Sequence, residues 1–170
     1  ITVPGNFTFV EGTAVQLQAI AAQYYQFDHW EGAVTGTENP KSVTINSALT
    51  FRPVFLPIVR FSAATSGPSE AAGAAQVTLT RRPALRVSTL NYTVTGTATS
   101  GTDFTALSGQ VTFPTLSTSQ TINVPITSDL IDEDNETIVM TLSSATNAKI
   151  GSPSVHTLTI DDDDPLPTIQ

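Results

Sequence analysis

Near its end the chain reads Val155-His156-Thr157-Leu158-Thr159-Ile160 and then Asp161-Asp162-Asp163-Asp164, followed at once by Pro165. Apolar and threonine residues that alternate with a period of two are typical of a β-strand with one buried face. Aspartate is depleted from strands and common in loops. The stretch therefore predicts a strand that ends at an acidic loop.

The same pattern occurs upstream, where the alternating run 120–127 leads directly into the acidic segment Ser128–Glu136. Two carboxylates about 4 Å apart repel by about 1 kcal/mol in water and by about 4 kcal/mol at an effective dielectric near 20. A hard cation bound by carboxylate oxygens offsets this repulsion. We therefore expect a cation site if the fold brings both acidic loops to one end.

The rest of the chain is also rich in valine and threonine, and no segment has a helical period over eleven residues. An all-β fold is predicted. In residues 1–57 the candidate strands are 7–10, 14–21, 26–31, 42–45 and 49–55. In residues 58–164 they are 58–62, 74–80, 90–94, 109–113, 120–127, 137–143 and 155–160.

The number and spacing of the later strands predict an immunoglobulin-like β-sandwich over residues 58–164, preceded by a small β-rich domain over residues 1–57. Pro57 is expected to form a short, stiff connection between them, and residues 165–170 to lead to a further module. The predicted inward side chains of the sandwich are Val77, Leu79, Tyr92, Val94, Val111, Phe113, Ile122, Val124, Ile138, Met140, Leu142, Leu158 and Ile160.

The composition excludes several classes of function. A net charge of −8 with only 7 Lys plus Arg argues against nucleic-acid binding. Without cysteine there is no thiolate zinc site and no cysteine nucleophile. The sequence contains no run of eighteen apolar residues, so it does not predict membrane insertion. Because the sequence starts at Ile1 without a leader, we expect a piece of a longer, processed protein.

Aromatic and histidine residues suggest little catalytic chemistry. Phe27 and Trp30 are predicted to form the core of the small domain, with Tyr24 and Tyr25 better candidates for exposure. His29 and His156 are expected on the surface or half-buried on strands, with no nucleophile beside them. Clustered acids without an aromatic cleft do not suggest a glycosidase, so an enzyme is not predicted.

Residues 1–57 resemble the divergent bacterial repeats of the internalin B-repeat type. The resemblance rests on a glycine turn and strand at 11–19, the Phe27-Asp28-His29-Trp30-Glu31-Gly32 segment, a turn at Asn39-Pro40 and a last strand that ends at Phe55. Such repeats are small β units of bacterial surface and secreted proteins, so the resemblance implies a spacer or stalk.

Residues 58–164 resemble a Calx-beta domain, because several separated motifs agree in order. They are the early acidic and glycine motif 69–73, the Gly96–Phe104 segment close to a G-T-A-x-x-G-x-D-Y/F signature, the acidic loop 126–137 and the acidic exit 160–164. Ser128 departs from the pattern, since calcium-binding members often carry a second aspartate there.

The Calx-beta resemblance implies Ca²⁺ as the ligand. Its implied ligands are Glu70, Asp103, Asp129, Glu133, Asp161, Asp162 and Asp163, with Asp132 and Asp164 as additional candidates. Calcium takes six to eight oxygens in flexible geometry, whereas magnesium demands an octahedron, so calcium is favoured. No His or Cys is in the set, which disfavours zinc and copper.

The sequence thus predicts a non-catalytic, calcium-binding pair of structural modules in a large secreted or surface bacterial protein. Calcium would rigidify the junction with a neighbouring module of the same chain. Two alternatives remain open: a carbohydrate-binding accessory module of a secreted polysaccharide-degrading enzyme, and an adhesin stalk without metal that contacts a cell-surface ligand. Solvated acidic loops that only promote solubility are the simplest competing explanation.

Overall fold

The computed structural model describes residues 6–166, and within them the fold is all-β, as predicted. Its strands are β1 (Thr13–Leu17), β2 (Tyr25–Gly32), β3 (Lys41–Ile45), β4 (Phe51–Phe61), β5 (Thr65–Ser66), β6 (Ala74–Arg81), β7 (Ser88–Gly96), β8 (Gln110–Phe113), β9 (Ser119–Pro125), β10 (Glu136–Thr146), β11 (Lys149–Ile150) and β12 (Val155–Ile160). A single 3-10 turn, Glu70–Ala72, interrupts them. None of the described residues form a helix with the length and apolar character needed to cross a membrane.

The chain divides into two compact units, Ile1–Pro57 and Ile58–Gln170. In the first unit β1 pairs with β3, and β2 pairs with the first part of β4, both antiparallel. Trp30 is 2% exposed and packs against Phe27, which confirms the predicted aromatic core. Tyr24 and Tyr25 are half-buried rather than exposed.

One predicted strand of the first unit is wrong. Residues 6–10 form no strand, although Phe7 and Phe9 alternate with polar residues. Phe7 is 52% exposed and Val10 79% exposed, so these apolar side chains do not face a core. Alternation was a misleading signal here, because it indicates a strand only where one face is buried against a partner.

The second unit consists of two sheets. One has the order β5-β12-β10-β7-β8, and the other has the order β11-β4-β6-β9. Their inner faces share one apolar core, which includes every predicted inward side chain except Val94, which is only partly buried and packs against the core. The alternation of the sequence therefore predicted the two inner faces correctly.

The sequence predicted a connection between strands at Pro57. This prediction is wrong, because Pro57 lies inside β4. Proline has no N–H to donate, yet it fits a strand wherever its nitrogen points away from the hydrogen-bonded neighbour. Pro53 and Pro57 of β4 pair opposite Trp30 and Tyr25 of β2. Of the predicted connection 165–170, residues 165 and 166 form no strand, and 167–170 lie outside the described residues.

His156 is buried, with 3% exposure, and the expectation of a surface or half-buried histidine is wrong. Its Nδ1 lies 2.8 Å from the carbonyl oxygen of Ala63, and its Nε2 lies 2.9 Å from the hydroxyl of Ser66. Ala63 precedes β5 and Ser66 belongs to it, about ninety residues before His156 in the chain. A polar ring can be buried there because both of its nitrogens are hydrogen-bonded.

The strand directions bring distant loops to one end of the second unit. Ala74 at the start of β6 pairs with Pro125 at the end of β9, and Glu136 at the start of β10 pairs with Ile160 at the end of β12. β7 ends beside β10, where Gly96 pairs with Ile138. The loops that follow β7, β9 and β12, and the 3-10 turn before β6, therefore meet at this end.

Candidate metal centre

Glu70 is the buried acidic residue at this end, among those that the structure describes. It is only 7% exposed and begins the 3-10 turn, which Ser69 caps at its start and Gly73 closes with φ 68°. Its backbone N–H donates to the carbonyl of Asp161 at 2.9 Å, and its Oε1 accepts from the N–H of Asp129 at 2.8 Å. Glu70 thus links the acidic exit through its backbone and the acidic loop through its buried carboxylate.

Asp103 is positioned by the turn that follows β7. Its carboxylate accepts a hydrogen bond from the N–H of Thr99, and its carbonyl accepts one from the N–H of Thr127 at 2.9 Å. The second contact fastens the turn to the chain that leaves β9. The Asp103 carboxyl group also shares a hydrogen bond with Glu136 at the start of β10.

The acidic exit is fixed by two neutral side chains. The Asn135 amide donates to Asp161 Oδ1 at 3.1 Å and accepts from the N–H of Asp162 at 3.1 Å. The Ser69 hydroxyl donates to Asp163 Oδ2 at 2.8 Å. Asp161 and Asp163 therefore each have one carboxylate oxygen in a hydrogen bond to another side chain.

Two carboxylate oxygens at the exit are buried without a hydrogen-bond partner among the described residues, Asp162 Oδ1 and Asp164 Oδ2. Asp164 also belongs to a triad with Glu70 and Asp129, in which one oxygen from each residue lies within 4.8 Å of the others. Unsatisfied buried carboxylate oxygens are costly unless a cation or water completes their coordination. These oxygens are the kind of donor that a hard cation requires.

A cavity of ≈ 10 Å³ lies beside this triad, about the space that one water-sized particle occupies. Its lining consists of Glu70, Asp103, Thr127, Glu133, Asp134, Glu136, Ile160 and Asp162. Glu70 belongs both to this lining and to the triad. The end of the unit therefore offers two adjoining groups of carboxylates joined through Glu70.

Among the residues proposed from sequence, the structure brings Glu70, Asp103, Asp129, Glu133, Asp162 and Asp164 to these two groups. Asp161, Asp163 and Asp132 belong to neither group, and the first two are hydrogen-bonded to Asn135 and Ser69. Glu136 and Asp134 line the cavity but were not proposed as ligands. The sequence places Glu136 at the end of the acidic segment, before the predicted strand 137–143. In the structure it begins β10 and lines the cavity.

The carboxyl groups raise one another's pKa values. Burial, the hydrogen bond to Asp103 and the charges of Asp103 and Glu133 together raise the pKa of Glu136 to about 7. Burial and the charges of Asp129 and Asp103 raise the pKa of Glu133. Burial and the neighbouring aspartates likewise raise the pKa of Asp164. Without a cation, this end of the unit thus favours bound protons.

A pH dependence of stability follows for the metal-free protein. Glu136 has an ordinary pKa of 4.5 when unfolded and about 7 when folded, so between these pH values the folded protein holds more protons. By linkage, the free energy of unfolding then decreases as pH rises through this window. Thermal melts in chelator from about pH 5 to about pH 8 are expected to show a falling melting temperature.

The matched variant for this measurement is Glu136→Gln, which keeps the shape of the side chain and cannot ionise. We expect a flatter melting temperature over the same pH range for the variant. A wild-type melting temperature that stays constant or rises with pH would contradict the assignment.

Comparison with known families agrees with this architecture. The model of the Calx-beta domain matches residues 56–164, and the model of the divergent InlB B-repeat domain matches residues 1–55. The chain belongs to the Calx-beta family. The resemblances on both parts of the sequence are thereby confirmed. The comparison with curated proteins gave no match.

Solved structures resemble the Calx-beta unit. The apo-form Calx CBD1 domain is 26% identical with a TM-score of 0.58, and the match covers 63% of this chain and 97% of that domain. The calcium binding domain CBD12 of CALX1.1 is 27% identical with a TM-score of 0.57, and the match covers 62% of this chain and 44% of that chain. The Calx CBD2 domain, at 13% identity and a TM-score of 0.54, supports the fold alone.

Proposed function

We propose that the Calx-beta unit binds calcium at its acidic end and acts as a non-catalytic structural module. The observation that carries the proposal is the pair of buried, unpartnered oxygens on Asp162 and Asp164, within the part of the chain that the structure describes. Asp164 adds the close triad with Glu70 and Asp129. Solvated loops that serve only solubility give no reason to bury unpaired carboxylate oxygens.

The donor set favours calcium over other cations. It contains only oxygens, and its carboxylates come from loops that can adjust their spacing, which suits the six to eight ligands of calcium. Magnesium needs near-ideal octahedral geometry, and zinc prefers nitrogen and sulfur ligands. The similarity to a solved structure described as a calcium binding domain points the same way.

The site's position suggests what calcium does. The acidic exit Asp161–Asp164 directly follows β12, the last strand within residues 6–166, and an oxygen of Asp164 lies close to those of Glu70 and Asp129. A cation that holds these segments together would stiffen the chain where it leaves the unit toward a neighbouring module. In line with the InlB-type repeat before it, we assign the pair to a secreted or surface-attached bacterial protein, as a spacer.

A calorimetric titration of the metal-stripped protein with calcium tests this proposal. We expect saturable binding with a Kd of about 10⁻⁴ to 10⁻³ M, the range typical of extracellular calcium modules. Magnesium at the same concentrations is the control and is expected to bind at least about tenfold more weakly, because it demands stricter geometry. Absence of binding heat at several temperatures, with no change in the melting curve, would reject calcium binding.

A further inference from the structure

The charges of the Calx-beta unit are separated between its two ends. All of its acidic residues belong to the loops and strand ends of the acidic end described above. All of its basic residues lie toward the opposite end: Arg60, Arg81, Arg82, Arg86 and Lys149. Strand β6, eight residues long, runs between the two ends, which places them roughly 26 Å apart at 3.3 Å per residue.

The basic end carries exposed apolar side chains beside its arginines. In the loop 82–87 and the nearby turn 114–117, Leu85 is 84% exposed, Leu116 62% and Val87 46%. Arg82 and Arg86 are exposed in the same loop. We call the surface formed by Arg82, Leu85, Arg86, Val87 and Leu116 the basic face.

The loop that presents the basic face is fastened to the unit. The Leu116 N–H donates to the Ala84 carbonyl at 2.8 Å, and the Asn147 amide donates to the Val87 carbonyl at 3.0 Å. The buried Arg81 donates to the Arg86 carbonyl at 3.2 Å. The backbone is thus held by three elements while Leu85 points to solvent, so little ordering entropy remains to oppose binding.

The acidic end has a complementary feature. Within the loop 128–135, Leu130 is 89% exposed and Ile131 is 60% exposed, between Asp129 and Asp132. An apolar pair bordered by carboxylates therefore lies at one end, and an apolar cluster bordered by guanidinium groups lies at the other. Both surfaces expose apolar side chains, and their charges are of opposite sign.

We propose that the basic face binds the acidic loop 128–135 of a second copy of this chain, head to tail. Because the two surfaces lie at opposite ends of the unit, one copy cannot satisfy both by itself, and repeated contacts produce a row of units. A nucleic acid fits the basic face less well, because the net charge of −8 repels phosphates and the surface is largely apolar. Contacts of this small size are weak and transient in isolation.

Sedimentation velocity of the full chain tests the proposal. It is done in chelator, so that its outcome does not depend on whether the acidic end binds calcium. At low ionic strength we expect the weight-average sedimentation coefficient to rise with protein concentration. At about 0.5 M salt, where screening shortens the reach of charge interactions to a few Å, the coefficient is expected to fall to that of a monomer.

Two variants make the test specific. Leu85→Asp places a like charge against the acidic loop, and Leu130→Gln removes the apolar side chain of that loop. Each variant alone is expected to associate at least tenfold more weakly than wild type. An equal mixture is expected to form dimers and nothing larger, because the first variant keeps its acidic loop and the second keeps its basic face.

Ile20→Asp is the matched control, since Ile20 is an exposed apolar residue of the first unit, with 68% exposure. It is expected to associate like wild type. The proposal is overturned if the wild-type sedimentation coefficient is independent of concentration at low salt. It is also overturned if Leu85→Asp associates as strongly as wild type, or if the mixture of variants stays monomeric.

Discussion

Saturating calcium is expected to raise the melting temperature of the Calx-beta unit by roughly 10 °C. A ligand at one hundred times its Kd stabilises the folded state by about 2.7 kcal/mol if the unfolded chain does not bind it. For a unit of this size, 1 kcal/mol corresponds to roughly 4 °C. Folding brings one oxygen each of Glu70, Asp129 and Asp164 within 4.8 Å of the others. Bound calcium relieves the repulsion among them, and this gain exists only in the folded protein.

Glu70→Gln is expected to remove at least about half of this increase. Glutamine keeps an oxygen that can accept the hydrogen bond from the Asp129 N–H. It removes the negative charge that Glu70 contributes both to the triad and to the cavity lining. We expect at least a tenfold loss of calcium affinity, equivalent to about 1.4 kcal/mol. In chelator the variant should be as stable as wild type or more stable, because one repelling charge is gone.

The measurement is differential scanning calorimetry with calcium and with chelator, on wild type and variant side by side. Glu38→Gln is the control, since Glu38 is an exposed residue of the first unit whose carboxylate pairs with the nearby Lys41. It should keep the full calcium-dependent increase. An increase of equal size in Glu70→Gln would show that Glu70 is not a ligand.

The acidic loops of the candidate site could be predicted from the sequence pattern, whereas its isolated acidic residues could not. Acidic residues directly after alternating runs placed the loops 128–136 and 161–164 at strand ends, and the strand pairing brings both to one end. Glu70 and Asp103 were proposed only through the family resemblance, since an isolated acid in a loop carries no signal by itself. Hydrogen bonds between loops decide which oxygens stay unpaired, and they depend on residues such as Asn135 and Ser69.

Elements that depend on partners far along the chain could not be predicted. Strands β5 and β11 have two residues each, too few for a period to appear, and they exist because β12 and β4 offer free edges. The alternating pattern predicted a surface or half-buried His156, but it is buried because the segment at β5 supplies Ser66 and Ala63 as partners. Local pattern predicted the inner faces, and long-range packing determined the rest.

Gly96 shows where a sequence motif has a physical reason that only the structure reveals. Its φ is +138°, a conformation that residues with a side chain rarely adopt, and it lies where β7 meets β10. A Cβ at this position would lie 2.0 Å from the carbonyl oxygen of Thr137 and 3.3 Å from the Cα of Ile138. The first residue of the Gly96–Phe104 segment is thus glycine because two backbones approach closely there.

Gly96→Ala is therefore expected to lower the free energy of unfolding of the Calx-beta unit by about 3 to 5 kcal/mol. Backbone strain at positive φ contributes about 1 to 3 kcal/mol, and overpacking against β10 adds a similar amount. Gly101→Ala is the matched control, because Gly101 also has a positive φ, +95°, but a Cβ there meets nothing within 4 Å. Its loss should be limited to the strain, about 1 to 2 kcal/mol.

Urea denaturation followed by far-UV circular dichroism measures both variants, and the fluorescence of the single tryptophan, Trp30, marks unfolding of the first unit separately. Relief of the clash at Gly96 must push Thr137 away, and with it the adjoining Glu136 at the edge of the cavity. Calcium affinity should therefore fall in Gly96→Ala more than in Gly101→Ala. Equal losses of stability in the two variants would mean that β10 can shift without lowering the free energy of unfolding. The close approach of the backbones would then not hold the site in place.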